Sequence, residues 1–158
     1  MAGHCEYRHF EYRHRVTAAE TDLCGLADPV NFLSWQGRCR ELFLGHLEPD
    51  ALVDAQGELS LLTLQVECEM FAEVMALDEL SVRMRVAGTG HTELSLTFDY
   101  VKVAADGEET LVARGGQRIA CMRGPESSAV PALIPDALAR ALAPYSAAGV
   151  RPLAGRQK

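Results

Sequence analysis

The stretch AETDLCGLADPVNFLSWQGRCRELFLGHL, residues 19–47, contains the clearest helix start in the chain. Asp28 suits the N-cap because its carboxylate can accept hydrogen bonds from free backbone N–H groups, and Pro29 suits the first helical position. An apolar stripe follows at spacings of three and four, formed by Phe32, Trp35, Cys39, Phe43 and His46. More apolar surface lies beside this stripe, at Leu33, Leu42 and Leu44. The pattern predicts one long helix covered on more than one side, which ends at Glu48-Pro49-Asp50.

The composition is that of a globular protein, with 48% apolar and 23% charged residues in a chain of 158 residues, enough for one domain. The net charge of -7 argues against a nucleic-acid partner or an anionic membrane surface. No apolar run is long enough to span a membrane, and the first ten residues lack a signal segment. Five cysteines without a CxxC pair favour reduced thiols in a cytoplasmic protein over a disulfide framework or a zinc site.

Alternating apolar and polar residues predict five strands, at about residues 6–16, 62–70, 80–86, 94–100 and 110–122. In the second strand the predicted buried face consists of Leu62, Leu64, Val66, Cys68 and Met70. Tight turns are expected at Gly88-Thr89-Gly90 and Ala105-Asp106-Gly107, and Gly115-Gly116 predicts a bulge or a close approach of other backbone. A short helix is expected at residues 136–143.

This order of elements predicts an α+β fold, an antiparallel sheet of about five strands wrapped around one long central helix. An open sheet of this kind has two unpaired edges, which a second copy of the chain commonly covers. We therefore expect at least a homodimer.

Seven segments carry a family resemblance: FEYRH at 10–14, ETDLCG at 20–25, NFLSWQGRCRELF at 31–43, FAE at 71–73, DELSVRMR at 78–85, FDYV at 98–101 and LVARGGQRIACMRGP at 111–125. They resemble the hotdog-fold thioesterases of the 4-hydroxybenzoyl-CoA thioesterase type, and more closely the enediyne polyketide thioesterases. The most specific parts are WQGRCRE and ACMRGP, whereas the TDxxG pattern alone is a weak signal.

The resemblance implies one hotdog domain over residues 1–158, with its core at about 6–125 and a tail at 126–158. It also implies a homo-oligomer, a dimer of dimers and hence a homotetramer, that releases a polyketide from the phosphopantetheine thioester of an acyl carrier protein. No metal and no organic cofactor are implied. The site would lie at the dimer interface, between the helix start of one subunit and the partner subunit.

Three positions matter for the chemistry, and two depart from the enediyne group. Asp22 stands where that group usually has asparagine, and it supplies the carboxylate that the 4-hydroxybenzoyl-CoA enzymes use as nucleophile or base. Phe32 replaces a usual tyrosine, so a hydroxyl is missing. Arg40 matches the arginine of the group and can bind a phosphate or carboxylate, or orient the site.

The helix start also departs from the enediyne group, because Leu26-Ala27-Asp28-Pro29 replaces an NVYY-like segment. Backbone N–H groups at a helix start can polarise a thioester carbonyl, but Pro29 has no N–H. We therefore expect an altered oxyanion site and a substrate that differs from the linear polyenes of that group.

The candidate catalytic residues are Asp22 and Arg40, and the candidate substrate-binding residues are Gly25, Asn31, Phe32 and Glu73. Structural alternatives remain open for most of them. Asp22 can be a turn acid, Arg40 can form an interface salt bridge with Glu41 or with Asp28 of a partner, Asn31 can support the helix cap, and Glu73 can be a solvated loop acid.

Cys24 has no histidine near it in sequence, so it is a weak nucleophile candidate. Contacts to an acidic carrier protein are open to three basic residues, Arg38, Lys102 and Arg123.

The alternative function is a non-hydrolytic hotdog protein that binds an acyl or polyketide chain. Pro29 lacks a backbone N–H and Phe32 lacks a hydroxyl, and the enediyne thioesterases have both. A hotdog dehydratase is disfavoured, since no histidine lies between Arg15 and Gly45.

Overall fold

A computed structural model describes residues 8–146. The helices and strands are β1 (Phe10–Arg15), α1 (Pro29–Gly45), β2 (Val53–Asp54), β3 (Gly57–Glu58), β4 (Ser60–Met70), β5 (Glu79–Thr89), β6 (Glu93–Val103), β7 (Glu109–Arg123), β8 (Val130–Pro131) and α2 (Asp136–Leu142). The main antiparallel sheet has the order β1-β5-β6-β7-β4, with β8 paired beside β7, and β2 and β3 form a separate hairpin. Across these residues, no helix combines the length and hydropathy of a membrane span.

The predicted α+β arrangement is confirmed, because one strand, one long helix and four long strands follow each other in the expected order. The sheet curls around α1 and buries its concave face against the helix. The alternation predicted for β5 and β6 is observed, with Leu80, Val82, Met84, Val86, Leu94, Leu96, Phe98 and Tyr100 all buried. The Tyr100 hydroxyl donates a 2.6 Å hydrogen bond to the Phe32 carbonyl oxygen, which attaches the helix to the centre of the sheet.

Helix α1 begins as predicted, with the Asp28 side chain accepting a 3.1 Å hydrogen bond from the Val30 N–H and Pro29 in the first position. Its end was predicted too late. The helix stops at Gly45, where the His46 N–H donates to the Phe43 carbonyl at 3.0 Å in a tightened last turn. His46 therefore lies beyond the helix and is exposed, whereas the polar Gln36 is fully buried.

Strand β4 differs from its prediction because it lies at the edge of the sheet and contains a bulge. The register shifts between Thr63 and Gln65, so the alternation does not continue along the strand. Cys68 is partly buried, but the other predicted core residues are exposed: Leu62 by 49%, Leu64 by 40%, Val66 by 41% and Met70 by 45%. We call these four residues the β4 edge. On α1, Leu33 and Leu42 are also exposed, so the predicted second cover of the helix is absent from residues 8–146 of the single chain.

The observed turns agree in part with those predicted from the sequence. Gly107 has a φ of 87° and its N–H donates to the Ala104 carbonyl at 2.9 Å, as the Asp-Gly signal predicts. The turn predicted at residues 88–90 begins later, because a bulge after Val86 lets β5 continue to Thr89. Helix α2 ends one residue before its predicted end. The expected strand start at residue 6 and the tail beyond Ser146 lie outside the described residues.

Candidate active site

The loop before α1 presents Asp22 in a fixed orientation. Its Oδ1 atom accepts hydrogen bonds from the backbone N–H groups of Cys24, at 2.8 Å, and Leu26, at 3.2 Å. The Asp22 carbonyl accepts the N–H of Gly25 at 3.0 Å, and Gly25 has a φ of 79°, which explains the glycine of the TDxxG pattern. Asp22 is exposed, and its Oδ2 atom accepts no hydrogen bond from residues 8–146. The loop thus offers one anchored and one available carboxylate oxygen.

The first turn of α1 has its backbone donors engaged. Pro29 has no N–H, the Val30 N–H donates to the Asp28 side chain, and the Asn31 N–H donates to the Asp28 carbonyl at 2.9 Å. The Asn31 side chain also takes part in this structure, since its amide donates to the Glu20 carbonyl at 2.7 Å. Between residues 20 and 31, the Leu23 N–H alone has no acceptor within the described part of the chain.

A partly buried acid beside this loop was not among the predicted site residues. The Glu20 carboxylate accepts hydrogen bonds from Trp35 Nε1 at 2.7 Å, His14 Nε2 at 2.9 Å and both the N–H and hydroxyl of Thr17 at 2.9 Å. Because a carboxylate only accepts, Nε2 of His14 carries the proton, and Nδ1 accepts from the Tyr12 hydroxyl at 2.8 Å. Glu20 therefore attaches the loop to both β1 and α1. The spacing of Thr17 and Glu20 is that of a capping box, which is the sequence signal that could have revealed it.

These contacts change the acidity of Glu20. Partial burial disfavours its charged form, but the hydrogen bonds from Thr17, His14 and Trp35 outweigh that effect and lower the pKa from 4.5 to about 2. The ionised carboxylate thus stabilises the folded state at pH values above the unfolded pKa of 4.5, and this stabilisation is lost as the pH falls toward 2.

Glu20→Gln is expected to lower the free energy of unfolding by about 1–2 kcal/mol at pH 7, after allowance for solvent screening. The difference in unfolding free energy from wild type should shrink as the pH falls from about 5 toward 2, because wild-type Glu20 then becomes protonated and is neutral like glutamine. Urea unfolding at a series of pH values measures this. Glu73→Gln is the control, since the Glu73 side chain makes no hydrogen bond within residues 8–146. A difference that stays constant down to pH 3 would contradict the role given to Glu20.

Arg40 lies in a second polar cluster, between α1 and the sheet. Its Nη1 atom donates to Thr63 Oγ1 at 2.7 Å and to Gln117 Oε1 at 2.9 Å. Burial lowers the pKa of the guanidinium, and the charge of Glu41 partly offsets this effect. Within residues 8–146, no carboxylate lies within salt-bridge distance of Arg40, so the salt bridge considered from the sequence does not form inside the described chain.

The candidate residues fall into two groups. Asp22, Gly25 and Asn31 surround the start of α1, and the loop that contains Glu73 joins them because the Ala27 N–H donates to the Val74 carbonyl at 2.7 Å. Arg40 lies roughly 16 Å further along the helix axis, from the rise of 1.5 Å per residue. One chain therefore does not bring Asp22 and Arg40 together.

Phe32 belongs to the core and is 3% exposed, with its ring centroid 4.9 Å from Trp35 and 5.3 Å from Tyr100. Glu73 is exposed. The Cys24 thiol is exposed, with no histidine hydrogen-bonded to it in the described range.

Of the basic residues suggested for carrier-protein contact, Lys102 pairs with Asp78 and Arg123 pairs with Asp54, whereas Arg38 is exposed without an ion pair among the described residues.

Comparison with solved structures finds thioesterases. The dynemicin thioesterase, whose crystal structures describe induced-fit and allosteric effects upon polyene binding, is 37% identical, and the match covers 89% of this chain and 99% of that chain with a TM-score of 0.80. The 1,4-dihydroxy-2-naphthoyl-CoA thioesterase of Synechocystis is 22% identical over 86% of this chain and 96% of that chain, with a TM-score of 0.69. The 4-hydroxybenzoyl-CoA thioesterase of Pseudomonas sp. strain CBS-3 is 13% identical over 85% of this chain and 99% of that chain, with a TM-score of 0.71. No protein-family model and no curated protein sequence matches the chain.

The chain shares with these three proteins an antiparallel sheet wrapped around one helix. This arrangement defines the hotdog class. The identity to the dynemicin thioesterase over nearly the whole of both chains is more specific, and the chain belongs to the hotdog-fold thioesterases.

Proposed function

We propose that the protein hydrolyses an acyl or polyketide thioester, presented by an acyl carrier protein or by CoA, in enediyne-type polyketide biosynthesis. The observation that carries the proposal is the exposed Asp22 carboxylate, whose Oδ1 is fixed by two backbone N–H groups while Oδ2 accepts no hydrogen bond from residues 8–146. The dynemicin thioesterase supports the polyketide assignment through its identity of 37% and its polyene ligand.

Asp22 can act in two ways that give the same products. As a nucleophile, Oδ2 bonds to the thioester carbonyl carbon, the C–S bond breaks, the thiolate takes a proton, and water then hydrolyses the mixed anhydride. As a general base, Asp22 takes a proton from the water that attacks the carbonyl carbon directly. Both routes need a donor for the developing oxyanion, and the Leu23 N–H beside Asp22 supplies an unoccupied one.

We also propose that the site is shared between two subunits, since Asp22 and Arg40 lie far apart along one helix. The β4 edge supports an assembly through β4, because its apolar side chains are exposed beside an unpaired strand. The opposite edge, β1, exposes charged residues instead. A homodimer through β4, and a dimer of dimers built from it, would cover the apolar surface and bring Arg40 of one subunit toward the partner's loop.

Val66→Lys is expected to convert the oligomer into monomers at micromolar concentration, because the charge would be desolvated against the apolar β4 edge of a second copy. Light scattering during size-exclusion chromatography measures the mass. Arg13→Ala, on the exposed face of β1, is the matched control and should leave the mass unchanged. An oligomer of Val66→Lys with the wild-type mass would exclude β4 as the interface.

The proposed activity is tested by thiol release from a panel of acyl-CoA and acyl-carrier-protein thioesters, followed with a thiol-reactive dye. We expect steady turnover, with carrier-protein substrates preferred over their CoA counterparts. Absence of turnover on every thioester, with a folded oligomeric protein, would refute hydrolysis.

A non-hydrolytic protein that binds an acyl or polyketide chain is the second candidate. It is favoured by the first turn of α1, where Pro29 has no N–H and the Val30 and Asn31 N–H groups are already engaged. Saturable binding of an acyl carrier protein without thiol release would establish this function, and steady turnover would exclude it.

A further inference from the structure

A chain of buried amides connects Arg40 to the edge of the sheet. The Gln36 Nε2 group donates to the Glu67 carbonyl at 2.9 Å, and the Gln117 Nε2 group donates to Gln36 Oε1 at 3.1 Å. Gln117 Oε1 then accepts from Arg40 Nη1 at 2.9 Å. Gln36 is 0% exposed and Gln117 is 5% exposed, so water competes little for these groups. The chain runs from strand β4 through helix α1 and strand β7 to the guanidinium.

The direction of each hydrogen bond in this chain is determined by its first acceptor. A backbone carbonyl cannot donate, so the Gln36 amide must present its NH2 group to Glu67 and its oxygen to Gln117. Gln117 must then present its NH2 group to Gln36, which leaves its oxygen facing Arg40. A rotated Gln117 amide would place two donors against Arg40 and leave a buried oxygen without a partner, which is costly.

The acceptors of Arg40 are neutral. Thr63 and Gln117 hold Nη1 with uncharged oxygens, and no carboxylate within residues 8–146 lies at salt-bridge distance. Arg40 is partly buried, and an arginine taken out of water is more commonly balanced by an acid, because an unpaired charge is expensive to bury. The neutral acceptors fix the position of the guanidinium and leave its charge available to an anionic group.

Two adjacent features fit this arrangement. A Cβ atom at Gly115 would overlap Gln36 Nε2 and lie 3.1 Å from the Glu67 carbonyl oxygen, so the first link of the chain needs a glycine here. Thr63 lies next to the bulge of β4, and its hydroxyl accepts from the same Nη1 atom as Gln117.

We propose that Gln117, oriented by Gln36, is a positioning residue that holds the Arg40 guanidinium in place without neutralising it. The inference rests on the proposed thioesterase function and on the part that Arg40 takes in it. Position 117 requires a hydrogen-bond acceptor toward Arg40, and that acceptor must be uncharged.

The test compares Gln117→Glu and Gln117→Met with wild type in the thiol-release assay. Glutamate keeps the shape and an acceptor toward Arg40, but it adds a charge that pairs with the guanidinium and removes the Nε2 donor to Gln36. We expect kcat/KM to fall at least 10-fold at pH 8. The loss should persist from pH 8 down to pH 5, because pairing with Arg40 lowers the pKa of the new carboxylate and keeps it ionised. Methionine keeps the volume without the acceptor and should lower kcat/KM at every pH. Urea unfolding confirms that each variant is folded.

A double-mutant cycle separates positioning from a purely structural effect. In an Arg40→Ala background, Gln117→Glu should have little further effect, because the residue acts through Arg40. An equal loss in both backgrounds, or an unchanged rate in Gln117→Glu while Arg40→Ala is impaired, would overturn this inference alone. Wild-type activity in Arg40→Ala would remove Arg40 from the proposed mechanism and the inference with it. Absence of turnover in the wild type would refute the proposed function itself.

Discussion

Asp22→Asn is expected to lower thiol release at least about 100-fold, within the range for general-base groups, while the protein stays folded. Asparagine keeps an Oδ1 atom that can accept the N–H groups of Cys24 and Leu26, so the loop should retain its shape. The amide cannot attack the carbonyl or take a proton from water. Initial rates on the best thioester of the panel, with urea unfolding in parallel, measure both properties.

Asp28→Asn is the matched control for this result. It makes the same change six positions along the chain, at the N-cap, where asparagine and aspartate are about equally good. Its rate and stability should stay near those of wild type. A rate in Asp22→Asn within a few-fold of wild type would exclude the carboxylate as the reacting group.

The largest expected effect on stability is at Gly115. Gly115→Ala should lower the free energy of unfolding by about 2–4 kcal/mol, because its Cβ would displace Gln36 from a fully buried site and break the hydrogen bond to Glu67. Equilibrium unfolding in urea measures the change. The same variant should also lose thiol-release activity if the chain of amides positions Arg40.

The adjacent glycine provides the control. At Gly116 a Cβ atom would meet Glu67 Oε1 at 3.1 Å, the end of an exposed side chain that can move away. Gly116→Ala should therefore cost less than about 1 kcal/mol. Equal destabilisation by the two substitutions would mean that both report a general property of the strand, and the specific contact with Gln36 would be refuted.

The sequence is most informative where local periodicity and burial coincide. Strands β5 and β6 are central, so their alternating residues are buried as the pattern predicts. The same alternation fails in β4, because a bulge and a position at the sheet edge depend on neighbours that are distant in sequence. The start of α1 was predictable from Asp28 and Pro29, which act within one turn.

The candidate site was partly predictable for the same reason. The TDxxG loop is a local structure, so the orientation of Asp22 follows from its own neighbours. The contacts of Glu20 with Trp35, and of Gln117 with Arg40, join residues from different elements and could not be read from spacing. The paired glycines at 115–116 predicted a bulge or a close approach of other backbone, whereas the group nearest to Gly115 is the side chain of Gln36.

The order of strands has a consequence for synthesis on the ribosome. Strand β4 pairs only with β7 within the described residues, and β7 ends at Arg123. A growing chain therefore exposes the apolar β4 before its partner strand exists, and premature termination anywhere before β7 would leave that strand unpaired. Nascent chains with an unpaired apolar strand are prone to aggregate. Productive folding of this sheet thus depends on translation through β7, and the chain is most vulnerable between the emergence of Met70 and that of Arg123.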